Sequence, residues 1–327
     1  MFVPLVDMKS QYNLIKKEID TAVQKVIESG RYIMGEEVEK FEQELAHHCG
    51  AKYAVGVSSG TDALYLALRV FDIGPGDEVI SVPFTFMATT ETICLTGATP
   101  VFVDIDPKTF NMDASKIEKA ITKKTRAIMP VHLYGQSADM DPIMKLAKKY
   151  KLVVIEDAAQ AIGAKYKGKQ VGSIGDIGTL SFFPSKNLGA CGDAGAVLTN
   201  RKDLIRKLKM LREHGSEKKY CHDYIGTNSR LDALQAAVLR VKLKYLNEWT
   251  EKRRGLAKIY NDMIKPRKNM ILPIEEPNNR HVYNQYTLRV KNRENFKNYL
   301  NQNEIQSVSY YPVPMHLQKA FKFLEYK

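Results

Sequence analysis

Leu152-Val153-Val154-Ile155-Glu156-Asp157-Ala158-Ala159-Gln160 decides how this chain is read. Its first four residues are apolar, and three of them are β-branched. A short run without polar alternation reads as a strand buried on both faces, the form taken in parallel sheets. Comparable runs stand at Tyr53 to Val57, Glu78 to Val82, Val101 to Asp104 and Arg126 to Val131, with amphipathic stretches between them. The alternation predicts an α/β fold: a mostly parallel central sheet flanked by helices on both faces. The runs Thr179 to Phe183 and Gly195 to Thr199 follow with too little chain between them for a crossover helix, so the sheet is expected to close with a hairpin. Upstream, Ile15, Ile19, Val23 and Val26 before Gly30, and Val38, Phe41 and Leu45 before Gly50, mark two helices. Downstream come a helical region from Ser229 to about Ile264 and a smaller mixed segment to Lys327.

With 327 residues, 44% apolar and 26% charged, the chain can bury a large core, arranged as one large domain and one smaller. Its longest apolar stretches, Leu152 to Ile155 and Ala158 to Ala164, fall short of the roughly 20 residues of a membrane-spanning helix, so no membrane partner is expected. The N-terminus lacks the basic start and apolar run of a secretory signal. Cys49, Cys94, Cys191 and Cys221 are widely spaced, which predicts free thiols in a reducing compartment and a cytoplasmic location. Cys191 reads as a small buried or half-buried thiol. A net charge of +12 would suit nucleic acid if the cations clustered, but they are scattered. In the densest stretch, Arg201 to Lys268, Arg206, Lys207, Lys209, Arg240, Lys242 and Lys244 alternate with leucines as the solvated face of helices. Nucleic acid is therefore not an expected partner, although the surplus positive potential favours a small anionic substrate.

In open α/β sheets, ligands bind beyond the carboxyl ends of the strands. After Tyr53 to Val57, the turn Ser58-Ser59-Gly60-Thr61-Asp62 opens a helix and leaves backbone N–H groups for an anion. After Leu152 to Ile155 stands Asp157. After Thr179 to Phe183 comes Lys186, in a loop whose glycines leave its amine accessible. Singly, the turn and Asp157 are also ordinary helix caps and Lys186 an ordinary solvated lysine. Together they have the order a pyridoxal 5'-phosphate (PLP) site requires: a lysine for the imine, a carboxylate for the pyridine nitrogen and a turn for the phosphate. The glycines of Gly189-Ala190-Cys191-Gly192-Asp193-Ala194-Gly195 are spaced three and three with no helix after them, which argues against a dinucleotide fingerprint. His47-His48 has no companion ligands at metal spacing, so no metal is expected.

Across nearly its whole length the chain resembles the DegT/DnrJ/StrS sugar aminotransferases, a branch of the fold-type I PLP enzymes. The motifs are Ser59 to Leu64, Pro83 to Thr89, Pro130 to Gln136, Glu156 to Ala161, Ser181 to Gly195, Gly226 to Asp232 and Tyr310 to His316. The resemblance implies that residues 1–250 form an N-terminal arm and the large PLP-binding domain, and 251–327 a smaller C-terminal α+β domain. Family members usually continue some dozens of residues further, so this domain is expected to be shortened, with the PLP core intact and substrate closure affected.

The resemblance also implies that Lys186 forms the internal aldimine, Asp157 pairs with the pyridinium nitrogen and Phe86 stacks on the ring. Gln160 is placed near the phenolic oxygen, and Gly60, Thr61 and Ser181 at the phosphate. Asn228 is expected to reach that phosphate from a neighbouring subunit, making a homodimer with shared active sites. Some members are dehydratases with histidine in place of the lysine; Lys186 implies transamination, with an amino donor such as L-glutamate and a nucleotide-linked ketosugar, dTDP- or UDP-linked, as acceptor. The form Lys186-Asn187-Leu188-Gly189-Ala190 followed by Gly192-Asp193-Ala194-Gly195 is similar to enzymes of 3-keto sugars, the alternatives being a 4-keto enzyme or a non-catalytic regulatory module. Arg230, Tyr310 and His316 are candidates for binding the sugar or its diphosphate.

Overall fold

The computed structural model describes residues 2–264 and 268–326. Two helices, α1 (Met8–Ser29) and α2 (Glu36–His48), lead into β1 (Tyr53–Val57), α3 (Gly60–Arg69), β2 (Glu78–Ser81), α4 (Met87–Leu95) and β3 (Thr99–Phe102). Then follow α5 (Ile117–Ala120), β4 (Thr125–Ile128), α6 (Met140–Tyr150), β5 (Val153–Asp157), the short β6 (Lys165–Tyr166) and β7 (Lys169–Gln170), β8 (Ile177–Ser181) and β9 (Gly195–Thr199). The main sheet has the order β1-β9-β8-β5-β4-β2-β3. β9 pairs antiparallel with both its neighbours, and every other pairing is parallel. The expected hairpin is therefore β8 with β9.

Successive side chains of a strand face opposite ways, and here they feed two helical layers. Val55, Val57, Val79 and Ile155 pack with Leu64 and Leu68 of α3, Ile93 of α4 and Leu208 of α7 (Lys202–Leu211). Ala54, Leu180, Ala196 and Leu198 pack with Phe41 and Leu45 of α2 and Leu239 of α8 (Ala233–Leu243). Ile80, Ile128 and Val154 meet Ile143 of α6. Each large side chain so buried contributes about 1.5–3 kcal/mol.

Three expectations are corrected. The long helix from Ser229 begins only at Ala233, because Ser229 and Arg230 are extended along the free edge of β1: Ser58 N–H donates to Ser229 O at 3.0 Å, and Val57 bridges Arg230. A turn at Lys244 and Tyr245 then separates α8 from α9 (Leu246–Met263). Lys242 does not belong to the solvated face: it is buried, with Nζ donating to Gly189 O at 2.8 Å. Cys191 is exposed, since Gln235 holds its backbone at the surface. Residues 265–267 of the basic stretch lie outside the described residues.

A small hairpin, β10 (Ser216–Lys218) with β11 (Cys221–His222), precedes α8. Beyond α9, β12 (Met270–Ile271) pairs with β14 (Arg289–Val290), β13 (Asn279–Arg280) pairs with β6, and α10 (Arg293–Gln302) buries no residue. The N-terminal arm joins this region, with Val3 N–H donating to Glu304 O at 2.8 Å and Val3 O accepting from Gln306 N–H at 3.0 Å.

Candidate active site

β5 delivers two adjacent carboxylates to opposite faces of the sheet. Glu156, fully buried, accepts from the N–H groups of Gly172, Ile174 and Gly175 and from His132 Nε2 at 2.8 Å. His132 Nδ1 accepts from Ala138 N–H, so the ring proton sits on Nε2, facing Glu156. Four donors saturate this carboxylate, and its work is to hold the loop after β7. Asp157 has two: Ala159 N–H to Oδ1 at 3.1 Å and Thr89 Oγ1 to Oδ2 at 2.7 Å. Its remaining lone pairs are available for a cationic N–H.

Lys186 follows β8 and faces Asp157. Burial pulls the pKa of its amine below the ordinary lysine value, and attraction to Asp157 opposes part of that fall. Its Nζ has no hydrogen-bond partner among the described residues. The loop itself is pinned on several sides. Lys186 N–H donates to Phe183 O, Asn187 Nδ2 to Val282 O, Asn284 Nδ2 to Asn187 Oδ1, and Lys242 to Gly189 O. The result is a held backbone carrying an uncommitted, partly desolvated amine, the state in which a lysine is nucleophilic.

The third part is the start of α3. Ser59 caps the helix by accepting from Asp62 N–H at 3.0 Å. Gly60 and Thr61 precede it with the free N–H groups of a first turn. Gly60 packs so closely on Ser181, at the end of β8, that an added Cβ would lie 2.6 Å from the serine Cβ. Gly195 on β9 comes closer still, its Cβ position being 2.3 Å from Ser59 O. Glycine at both places lets the turn sit against the strand ends. Asp62 binds the hydroxyls of Ser58, Ser59 and Ser229, which orders the turn.

Phe86 stands immediately before α4 and is 57% exposed, an aromatic face left on the cleft. Gln160 Oε1 accepts from Tyr134 N–H at 2.7 Å, which turns its amide group the other way, to Tyr311 OH at 3.0 Å. Tyr311 was not among the expected residues; its neighbour Tyr310 was. Its ring lies 6.2 Å from that of Phe86, and its pKa is raised, chiefly by burial and further by Asp157. Tyr310 turns its ring into the packing, and its carbonyl accepts from Tyr134 OH. His316 packs against Phe102 and Tyr326 at the sheet edge. Arg230 sits beside β1 with a buried Nε that has no partner among the described residues. Asn228 is exposed, and its side chain makes no hydrogen bond among the described residues.

The described residues contain no cluster of three or more His, Cys, Asp or Glu that could hold a metal ion, and no helix long and apolar enough to cross a membrane. A cleft of about 420 Å³ between α1, α2 and α8, lined by Lys17, Thr21, Arg240 and Lys244 among others, holds none of the residues above.

A desolvated lysine facing a part-satisfied carboxylate, beside a glycine-lined helix start and an exposed aromatic ring, fits a pyridoxal phosphate and defines an α/β enzyme of the PLP class. The sequence profile of the DegT/DnrJ/EryC1/StrS aminotransferase family matches residues 13–327, and the chain belongs to that family. Its cofactor is pyridoxal 5'-phosphate, in keeping with solved relatives in PLP and pyridoxamine phosphate forms. The chain is 50% identical to a dTDP-3-amino-3,6-dideoxy-alpha-D-galactopyranose transaminase of Aneurinibacillus thermoaerophilus, over 98% of this chain and 88% of the relative. It is 48% identical to a Pleiotropic regulatory protein of Geobacillus stearothermophilus, over 100% and 88%. The crystal structure of S. venezuelae DesV in complex with a ketimine intermediate superposes with a TM-score of 0.97 at 44% identity, covering 98% of this chain and 87% of that one.

Proposed function

We propose that the protein transfers an amino group from L-glutamate to a nucleotide-linked ketosugar whose ketone is at C3, as a homodimer, in amino-sugar biosynthesis. The observation that carries this reading is the partly desolvated amine of Lys186 facing Asp157, at the strand ends that also hold the Gly60 turn. Bound pyridoxal phosphate supplies an electron-withdrawing ring that stabilises negative charge at the substrate carbon. Lys186 would hold the cofactor through its Nζ, and as a free amine it would be the base that carries the proton at the substrate carbon. Asp157 holds a proton on the pyridine nitrogen, Phe86 covers the ring, Gln160 directs an amide N–H at the phenolic oxygen, and Gly60, Thr61 and Ser181 bind the phosphate.

Asn228 reaches the phosphate of a second subunit in this proposal. In support, it is exposed on a segment where Tyr220 and Ile225 are also left exposed. Arg230, with its unpartnered Nε, is the leading group for the sugar diphosphate, and Tyr310 and His316 stand behind it because packing occupies their rings. The proposed domain division, 1–250 and 251–327, falls within α9, which runs unbroken through it as a shared spine. A cytoplasmic location accords with four free thiols. The similarity to transaminases of dTDP- and UDP-linked sugars supports the substrate class.

The test is to reduce the holoenzyme with borohydride, locate the cofactor by peptide mass, and assay glutamate with nucleotide-linked 3- and 4-ketosugars. The expected result is cofactor on Lys186, catalytic turnover of a 3-ketosugar and a loss of at least about a hundred-fold in Lys186→Ala. Cofactor trapped elsewhere would overturn the site. Stoichiometric conversion without turnover would point instead to a binding role, which the regulatory name of one relative suits.

A further inference from the structure

Asp157 is oriented by more than its own strand. Thr89 Oγ1 donates to Asp157 Oδ2 at 2.7 Å and lies 2.8 Å from Thr85 Oγ1. The three residues are 0%, 5% and 1% exposed, so water does not compete for these bonds. A hydroxyl has one proton, and Thr89 has committed its own to the carboxylate. Thr89 can then only accept from Thr85, which gives the chain a direction: Thr85 to Thr89 to Asp157.

Thr92 of the same helix and Thr96 at its C-cap show that this arrangement is not automatic. A helical threonine commonly returns its proton to a carbonyl one turn back. Thr92 does so with Ala88 O at 2.8 Å, and Thr96 with Ile93 O at 2.7 Å. Thr89 instead reaches a carboxylate 68 positions away in sequence. Phe86 lies between Thr85 and Thr89, so one short stretch presents an aromatic ring to the cleft and one hydroxyl, backed by a second, to the buried carboxylate.

With Thr89 on Oδ2 and Ala159 N–H on Oδ1, both oxygens of Asp157 are held and the plane of the carboxylate is set. The titratable groups facing it are Lys186 on the loop after β8 and Tyr311 on the C-terminal segment. Glu156 on the same strand is bonded to the loop after β7 and to His132. Hydrogen bonds to an ionised group are about twice as strong as neutral ones, and a second hydroxyl behind the first strengthens it by polarisation.

We propose that Thr89, with Thr85 behind it, is a positioning residue that fixes the plane of the Asp157 carboxylate and aims it at the pyridine nitrogen. The proposal rests on Asp157 being the partner of that nitrogen. It acts on cofactor binding and on the cofactor's spectrum before it acts on any substrate.

The experiment compares wild type, Thr89→Val, Thr89→Ser, Thr85→Val and Asp157→Asn. Each cofactor-free protein is titrated with pyridoxal phosphate, and the pH midpoint of the visible band is measured on the reconstituted enzyme. Thr89→Val keeps the shape and removes the donor; it is expected to weaken cofactor affinity about ten-fold and to move the pH midpoint. Thr89→Ser, which restores the hydroxyl, is expected to stay within about two-fold of wild type, and Thr85→Val to lose about three-fold. Thermal unfolding of the cofactor-free variants checks that folding is intact. Wild-type affinity and midpoint in Thr89→Val, with both altered in Asp157→Asn, would overturn the relay while leaving the assignment of Asp157 standing. An unaltered Asp157→Asn would overturn that assignment itself. Equal impairment in Thr89→Ser and Thr89→Val would mean that the methyl packing matters and the hydroxyl does not, which also overturns the proposal.

Discussion

The ends of β1, β5 and β8 and the chain beyond α9 are built to different standards. At the strand ends most apolar residues are buried, Phe86 and Phe183 being exceptions, and the carboxylates are firmly bonded, as with Glu156 to three backbone amides and His132. Beyond α9 the strands are two residues long, α10 buries nothing, and Ile271, Tyr299, Val308 and Phe323 stand exposed. Hydrogen bonds more than apolar burial tie this region down, among them Met315 N–H to Pro83 O at 2.7 Å, Val282 N–H to Gly135 O at 2.9 Å and Gln160 to Tyr311. Local stability follows buried contact. The half that carries Lys186 and Asp157 is therefore the rigid one, and the half that carries Tyr311 and His316 is where opening costs least.

Substitutions sharpen or break this contrast. The largest effect is expected from Arg212→Met. Arg212 is buried, with Nη1 donating to Glu42 Oε1 at 2.6 Å and to Gly56 O at 2.9 Å. Its loss leaves the Glu42 charge buried and should cost about 3–5 kcal/mol in denaturant unfolding. A loss near zero would show that the sheet does not anchor the molecule.

His281 comes next, at the seam between the halves, buried and stacked on Tyr283. Burial, assisted by Arg254, pushes its pKa down to about 3. The unfolded chain binds this proton from about pH 6.5 and the folded one does not, so stability is full above 6.5 and falls as pH drops towards 3. The contribution approaches about 1.4 kcal/mol per pH unit. In His281→Asn that part of the acid slope should vanish from pH-dependent unfolding.

Tyr311→Phe, which removes the hydroxyl that meets the Gln160 amide, should lower kcat/KM about ten-fold, the scale of one hydrogen bond, and by similar factors in the glutamate and ketosugar half-reactions, because Gln160 and Phe86 hold the cofactor in the proposed site. A loss confined to the ketosugar half would place Tyr311 on the sugar instead of the cofactor. The smallest effect belongs to Tyr299→Ala on α10, expected within about 0.5 kcal/mol of wild type in the same unfolding assay.

The β5 strand, its terminal Asp157 and the β8 to β9 hairpin were legible in the sequence because each is a local pattern: an apolar run, a carboxylate at its end, a connection too short for a helix. The motif around Lys186 was legible for the same reason. Thr89, Tyr311 and the clamp of Lys242 on Gly189 were not, since their partners lie 68, 151 and 53 positions away and nothing in the local pattern marks them. Lys242 misled most directly: helical spacing put it among solvated lysines, and only the packing of α8 against the Lys186 loop turned it inward.

By itself, then, the sequence determined the order of strands and helices and the residue types waiting at each strand end, because periodicity and chain connectivity are properties of neighbours. Which hydroxyl bonds Asp157, which tyrosine meets Gln160 and which lysine is buried were decided by the tertiary structure alone. A hydrogen bond depends on the distance and direction between two groups, and for groups far apart in the chain those exist only once the helices have packed on the sheet.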